Sequence, residues 1–218
     1  GGRAVVRGEV DESYFTAVSV GAIGEPFSLH HLSVLALWKD SLVVSAEQKR
    51  VEIAARYQPL ALSRPDGMRN HHLVAWNEGA AAPHALFSAL VTEEKLLGAL
   101  REIDLRSGEN LAVETWTKRG DRRSKQADKK AIGDSVQVLV GFRGKWIPLG
   151  SLIIDAAGNH LDLRFHGSEK LIRHFRSGCL VCLESCPAGV IGNSAYSMND
   201  WEAKRVHFTL AKSPLREG

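Results

Sequence analysis

Val136-Gln-Val-Leu-Val140, Gly141-Phe-Arg-Gly144 and Lys145-Trp-Ile147 read as strand, turn and strand. Branched apolar residues recur at every second position, and glycines bracket the turn. Working outward, Ser151-Leu-Ile-Ile154 and Leu161-Asp-Leu-Arg-Phe165 continue the pattern, with Ala156-Ala-Gly-Asn159 as the turn between them. Upstream, Ala4–Val10, Tyr14–Val20, His72–Trp76 and Asn110–Trp116 read as further strands, and Arg205–Leu210 as a closing one. Val51, Ile53 and Ala55 alternate like a strand, whereas Ala46–Arg50 is compatible with one helical turn. Ser63-Arg-Pro-Asp-Gly67 is a turn, because Pro fixes φ and Gly tolerates positive φ.

Helices are few and short. Ala80–Leu90 and Glu169–Phe175 are expected to be helical. A further helix starts at Thr92-Glu-Glu-Lys95, with Thr92 as N-cap and Leu96, Leu97, Leu100 and Ile103 as its apolar stripe. Strands and helices do not alternate regularly enough for a doubly wound sheet. The expected class is α+β, with a mixed or antiparallel sheet, a few short helices and a single main domain.

The 218 residues suffice for one stable core, and the formal net charge of +3 is too small to argue for nucleic acid. No apolar run reaches the roughly 18 residues of a membrane helix, so no span is expected. Lys118–Lys130 is basic, but Asp121 and Asp128 interrupt it and aromatic interleaving is missing. A solvated loop is the simpler reading, and no nucleic-acid partner is expected.

All three cysteines lie in Cys179-Leu-Val-Cys182-Leu-Glu-Ser-Cys186-Pro187. A disulfide-stapled scaffold would scatter an even number along the chain, so clustering favours a local site. Thiolates at Cys-x2-Cys spacing in a tight loop can converge on a metal or cluster. The bacterial ferredoxin run is C-x2-C-x2-C-x3-C-P. The segment holds its last three cysteines and the Pro, while Arg176 occupies the place of the first. An iron–sulfur cluster would therefore need three thiolates or a fourth ligand from elsewhere. Zinc is the alternative, with His174 nearest in sequence as the fourth ligand and His166 or His207 as candidates through space. The redox alternative makes Cys179 and Cys182 a dithiol, and the bland one buries all three sulfurs as small hydrophobes. Pro187 would shape the loop, and Gly178 and Gly189 would let backbone wrap closely around it.

Ser177-Gly-Cys-Leu-Val-Cys-Leu-Glu-Ser-Cys-Pro187, followed by Gly192-Asn193 and Tyr196, resembles the YdjY-like family of bacterial proteins. His71-His-Leu-Val-Ala-Trp76, and Arg164-Phe165 followed by Gly167, fit the same family. The similarity runs from about Val51 to near the C-terminal end. On this basis residues 1–45 form an N-terminal extension or extra strands, and residues 46–218 the YdjY-like domain. The resemblance implies an exported, periplasmic protein with a ferredoxin-type cysteine stretch, associated with a cluster or redox chemistry. Cys179, Cys182 and Cys186 carry over as its site residues. The chain begins Gly1-Gly2 rather than Met, and a signal peptide is expected to lie outside this sequence.

Other constellations carry less. His31-Leu-Ser-Val34 and His207-Phe-Thr-Leu210 match the paired His-x-Ser/Thr strands of two-histidine phosphodiesterases, a pattern short enough to arise by chance. His71-His72 is expected to be a packed or solvent-facing pair, because neighbours in a strand face opposite sides and do not share one ion. No phosphate loop, nucleophile elbow or glycosidase carboxylate pair is present. The expected function is therefore an accessory protein, not an enzyme. It would bind an iron–sulfur cluster or metal through the three cysteines, transfer electrons, and meet a redox or membrane-associated protein partner. The alternative is a thiol–disulfide or zinc-stabilised binding module.

Overall fold

The computed structural model describes residues 15–22, 41–58, 71–142, 145–155, 157–202 and 208–210. Its frame is one large mixed sheet running β7-β6-β1-β3-β5-β4-β10-β11-β9. The strands are β1 Phe15–Ala22, β2 Leu42–Ser45, β3 Arg50–Tyr57, β4 His72–Trp76, β5 Phe87–Ala89, β6 Val136–Phe142, β7 Lys145–Pro148, β9 Leu163–Phe165, β10 Cys179–Cys182 and β11 Ile191–Asn193. The small sheet β8 Ile153–Asp155 and β12 Phe208–Leu210 stands apart. Among the described residues the helices are short: α1 Glu93–Glu102, α2 Val113–Thr117, α3 Glu169–Phe175 and α4 Met198–Glu202. The expected α+β class, mixed sheet and single domain are what the chain forms.

Alternation sets the core. In the antiparallel register Val18 lies between Ile53 and Val140, and Val20 between Val51 and Val138. All six are buried in one cluster. β3 has two partners on its other edge: β2 pairs its first half and β5 its second. The Phe165 N–H donates to the Asp134 carbonyl just ahead of β6, and Ser135 bridges Arg164. The far edge of the sheet thus curls back towards β6, removing most of an open edge.

Leu96, Leu97, Leu100 and Ile103 of α1 are buried in the same core, and Thr92 Oγ1 accepts from the Lys95 N–H at 3.3 Å. A ten-residue helix is marginal alone. Each buried Leu or Ile contributes roughly 1.5–3 kcal/mol, so tertiary burial rather than propensity holds α1.

Three local expectations change. Residues 46–49 are a turn, which makes β2 and β3 a hairpin. Ala80–Leu90 is not one helix: a 3-10 turn covers Ala82–His84, with Pro83 in it, and β5 follows. Unfilled pairing positions on β3 and β4 draw Phe87–Ala89 into the sheet. Asn110–Trp116 is not a strand, because Val113–Thr117 forms α2 and the Thr115 hydroxyl accepts the Ala112 N–H at 3.1 Å. The expected Ala4–Val10 strand, the Ser63–Gly67 turn, His31 and His207 lie outside the described residues.

The turn after β4 crosses the entry to β10 at backbone contact. Trp76 N–H donates to the Gly178 carbonyl and Ala81 N–H to that of Ser177. Gly178 has φ +76°, and a Cβ on it would stand 2.6 Å from Gly79 Cα. Gly178→Ala is expected to lose at least about 2 kcal/mol in urea unfolding. Gly98→Ala on α1, where a Cβ meets nothing within 4 Å, is expected to gain about 0.5–1 kcal/mol. Equal stability of the two variants would show that the backbone contact does not constrain the fold.

Candidate metal centre

β10 carries the first two cysteines, and regular strand geometry would place residues i and i+3 on opposite faces. The pairing with β4 is irregular instead. Cys179 pairs with Ala75, Val181 with Val74 and Cys182 with His72, with register shifts at both steps. Such bulges re-aim side chains. Here they bring both sulfurs to one side, while Leu180 and Val181 pack into the main core.

The two sulfurs are bonded as a disulfide with Cα atoms 6.8 Å apart, and Cys186 is a free, buried thiol. His72 Nδ1 lies 3.2 Å from Cys179 Sγ. Donor atoms of His72, Cys179 and Cys182 all fall within 4.8 Å of one another. A second group, His71, Glu184 and Cys186, meets the same limit. His71 and His72 have ring centroids 3.9 Å apart, yet each closes on a different group. The expectation that the two rings face opposite sides of a strand does not hold, because His71 lies just before β4 and its ring stands beside that of His72.

The loop from Leu183 to Val190 joins two parallel strands with only two paired rungs, Val181–Ile191 and Cys182–Gly192. So short a parallel connection needs internal fastening. Buried Asn193 supplies it, donating from Nδ2 to the Leu183 carbonyl, and Ser185 Oγ donates to the Asn193 carbonyl. Ser177 Oγ accepts the Cys179 N–H and donates to the Ala188 carbonyl, tying both ends of the segment. A Cβ on Gly189 would lie 2.9 Å from Cys182 Sγ and 3.5 Å from Cys179 Sγ, so bare backbone closes the sulfur pocket. Glu93, buried at the start of α1, accepts the Gly178 N–H one residue before Cys179. Burial, more than any neighbour, holds the Glu93 carboxyl above its usual range.

The surroundings are apolar: Ala75, Ala81, Ala85, Ala127, Ala188 and Met198 pack with the cysteines. Trp116 stands 5.8 Å from Phe175 and 6.4 Å from His71, with the Arg119 guanidinium 4.4 Å over its ring. Burial pushes the Cys186 thiol up, and the Glu184 carboxylate adds to the effect. Burial first, and His84 second, pull His72 down to about 4. His166, fully buried beside Gly192, is also held at about 4 by burial.

Of the residues singled out in the sequence, Cys179 and Cys182 come together and Cys186 joins the neighbouring group. His174 is exposed on α3 against Phe175 and stands in neither group, nor does His166. His71, His72 and Glu184 stand close enough to the sulfurs to be candidate donors; the sequence reading set the histidine pair aside as packed or solvent-facing and did not single out Glu184. Glu184 lay inside the cysteine segment, and His71-His72 was visible as a pair. Only the β4–β10 pairing reveals which sulfur each imidazole faces.

Neutral His72 and His166 stabilise the fold fully above pH 6.5, their ordinary value, and that contribution is lost as pH falls through 6.5 towards about 4. Ring proton shifts in NMR are expected to stay flat for both between pH 8 and about 5.5. A midpoint near 6.5 for His72 would contradict its burial.

A family model, YdjY domain, matches residues 42–217. The chain is 27% identical over 128 residues to the protein named "Uncharacterized protein YdjY" of Escherichia coli (strain K12), covering 58% of this chain and 52% of that protein. The chain thus spans about half the length of that relative. No solved structure matches it. The match takes in β2, β3 and the whole cysteine segment with its two histidines, and the chain belongs to the YdjY family.

Proposed function

We propose that the chain is a non-catalytic accessory protein of the bacterial periplasm that holds a thiophilic metal ion between β4 and β10. The observation that carries this reading is the approach of His72 Nδ1 to Cys179 Sγ at 3.2 Å, with Cys182 completing a three-donor set. The site would form once a partner dithiol reduces the Cys179–Cys182 bond, taking up the disulfide itself; the two thiolates released and the His72 imidazole then suit a soft or borderline ion. Donors within 4.8 Å of one another are spaced for one ion, whereas the thiolates of a four-iron, four-sulfur cluster each bind a different iron and a two-iron, two-sulfur cluster needs a second pair of ligands. A cluster would have to take Cys186 out of its group with His71 and Glu184, so the ion is preferred. Three protein donors leave a coordination position for solvent or a partner's ligand.

Each surrounding group has a role in this reading. Gly189 admits the sulfurs, Ser177 and Glu93 hold the approach to Cys179, and the apolar wall excludes water. Bound metal would supply either one-electron chemistry or a rigid tie between two strands. His71 and His72 are partly exposed and give the buried sulfurs an outlet towards a redox partner. No helix among the described residues is long and apolar enough to cross a membrane, so a membrane-associated partner would meet a surface of this domain.

The second reading rests on the Cys179–Cys182 bond itself. As a thiol–disulfide module, the bond accepts two electrons and two protons from a partner dithiol, giving two thiols here and a disulfide there. Cys186 remains free in both states.

Anaerobic purification of the full chain, metal analysis and thiol counting under denaturing conditions separate the two. The metal reading expects bound metal and three thiols, with metal lost on Cys179→Ser and at least tenfold weaker binding on His72→Ala. A single thiol in the protein as isolated, with no metal bound after reduction to three thiols and reloading with Zn2+ or Fe2+, would reject the metal in favour of the disulfide.

A further inference from the structure

We infer that His71, Glu184 and Cys186 form a second ion position beside the first, so that the segment builds a two-metal centre. This rests on the metal reading above. The cluster is built from two separate pieces of backbone. His71 precedes β4, and its carbonyl accepts the Leu183 N–H at 2.7 Å, fixing it against the loop. Glu184 and Cys186 follow in that loop and are joined by the Cys186 N–H to the Glu184 carbonyl at 2.9 Å. His71 Nδ1 stands 3.7 Å from Glu184 Oε1.

Burial makes the arrangement informative. Glu184 and Cys186 have no solvent exposure, and His71 has a side-chain exposure of 13%. Carboxylates are seldom fully buried unless charge or coordination compensates them. Here Glu184 stands near His71 and the Cys186 thiol, and that thiol packs among alanines and Met198. A divalent cation would balance both a carboxylate and a thiolate. The mixed nitrogen, oxygen and sulfur donors suit a borderline ion of the zinc class. The first set, with two sulfurs, is softer. The loop fastenings of Asn193 and Ser185 hold Glu184 and Cys186 without using either side chain.

The adjacency of the two sets follows from sequence neighbours splitting between them. His71 serves one and His72 the other, with rings 3.9 Å apart. Cys182 and Glu184 make the same division on the opposing strand and loop. Two three-donor sets that meet at a pair of imidazoles in contact, their planes tilted by 54°, have the layout of adjacent positions in one centre.

The test is titration of the reduced full chain with Zn2+ and Co2+ under anaerobic conditions. Wild type is expected to take two equivalents. Glu184→Gln and Cys186→Ser should each take one, and Cys179→Ser/Cys182→Ser should keep only the second. Cobalt separates the positions spectroscopically: the second position, with one thiolate against two, should add about half the sulfur charge-transfer absorbance of the first. Glu184→Gln preserves shape, and circular dichroism checks that it folds; if it does not, Cys186→Ser carries the comparison. One equivalent in wild type, unaltered by Glu184→Gln and Cys186→Ser, overturns the second position and leaves the first standing. Two equivalents retained by both variants also overturn it. No bound metal in folded wild type removes both positions.

Discussion

The irregular pairing of β10 with β4 is the constraint on which the site depends. A regular antiparallel ladder would send Cys179 and Cys182 to opposite faces, one into the main core and one away from it. The register shifts at both steps of the strand avoid this. They leave Leu180 and Val181 in the hydrophobic core and bring both sulfurs to the side where His72 begins β4. The same strand is held on its other edge by only two parallel rungs with β11. The Gly79–Gly178 backbone contact and the Glu93 carboxylate fix its entry. A site built on a strand between two others is more rigid than one on a free loop.

Burial then sets the chemistry. The cysteines, Glu184 and His166 are removed from water, and charge in that pocket is costly unless matched. Burial lowers the proton affinity of His72 and raises that of Cys186. Both directions disfavour the charged form of an isolated group. A cation brought among them would invert that preference for the thiol, which is why metal affinity and proton release are coupled in such sites. Trp116 of α2 and Phe175 of α3 pack against the cysteine cluster, with the Arg119 guanidinium over the Trp116 ring.

The sheet also shows how the matched family region joins the rest of the chain. β1, which precedes residue 42, is paired on both edges, with β3 and β6. Its valines complete the apolar rows across the three strands. This strand is therefore part of the same core rather than an appendage to it.

Much of this was legible in order. Alternation in Val136–Val140 and in Val51, Ile53 and Ala55 marked central strands, because a half-buried strand must repeat every second residue. Thr92 and the Leu96–Ile103 stripe marked α1, and the spacing of the cysteines marked a segment whose sulfurs lie close together. Short segments were not legible: Phe87–Ala89 became β5 and Val113–Thr117 became a helix. Three to five residues carry too little periodicity to outweigh what neighbours offer them. The sequence by itself determined the class of fold, the family and the clustering of the three cysteines, since each is written in local pattern. Only the tertiary structure decided that His72 faces Cys179 while His71 faces Glu184 and Cys186. That choice depends on strand register between segments 107 residues apart, which no local pattern records.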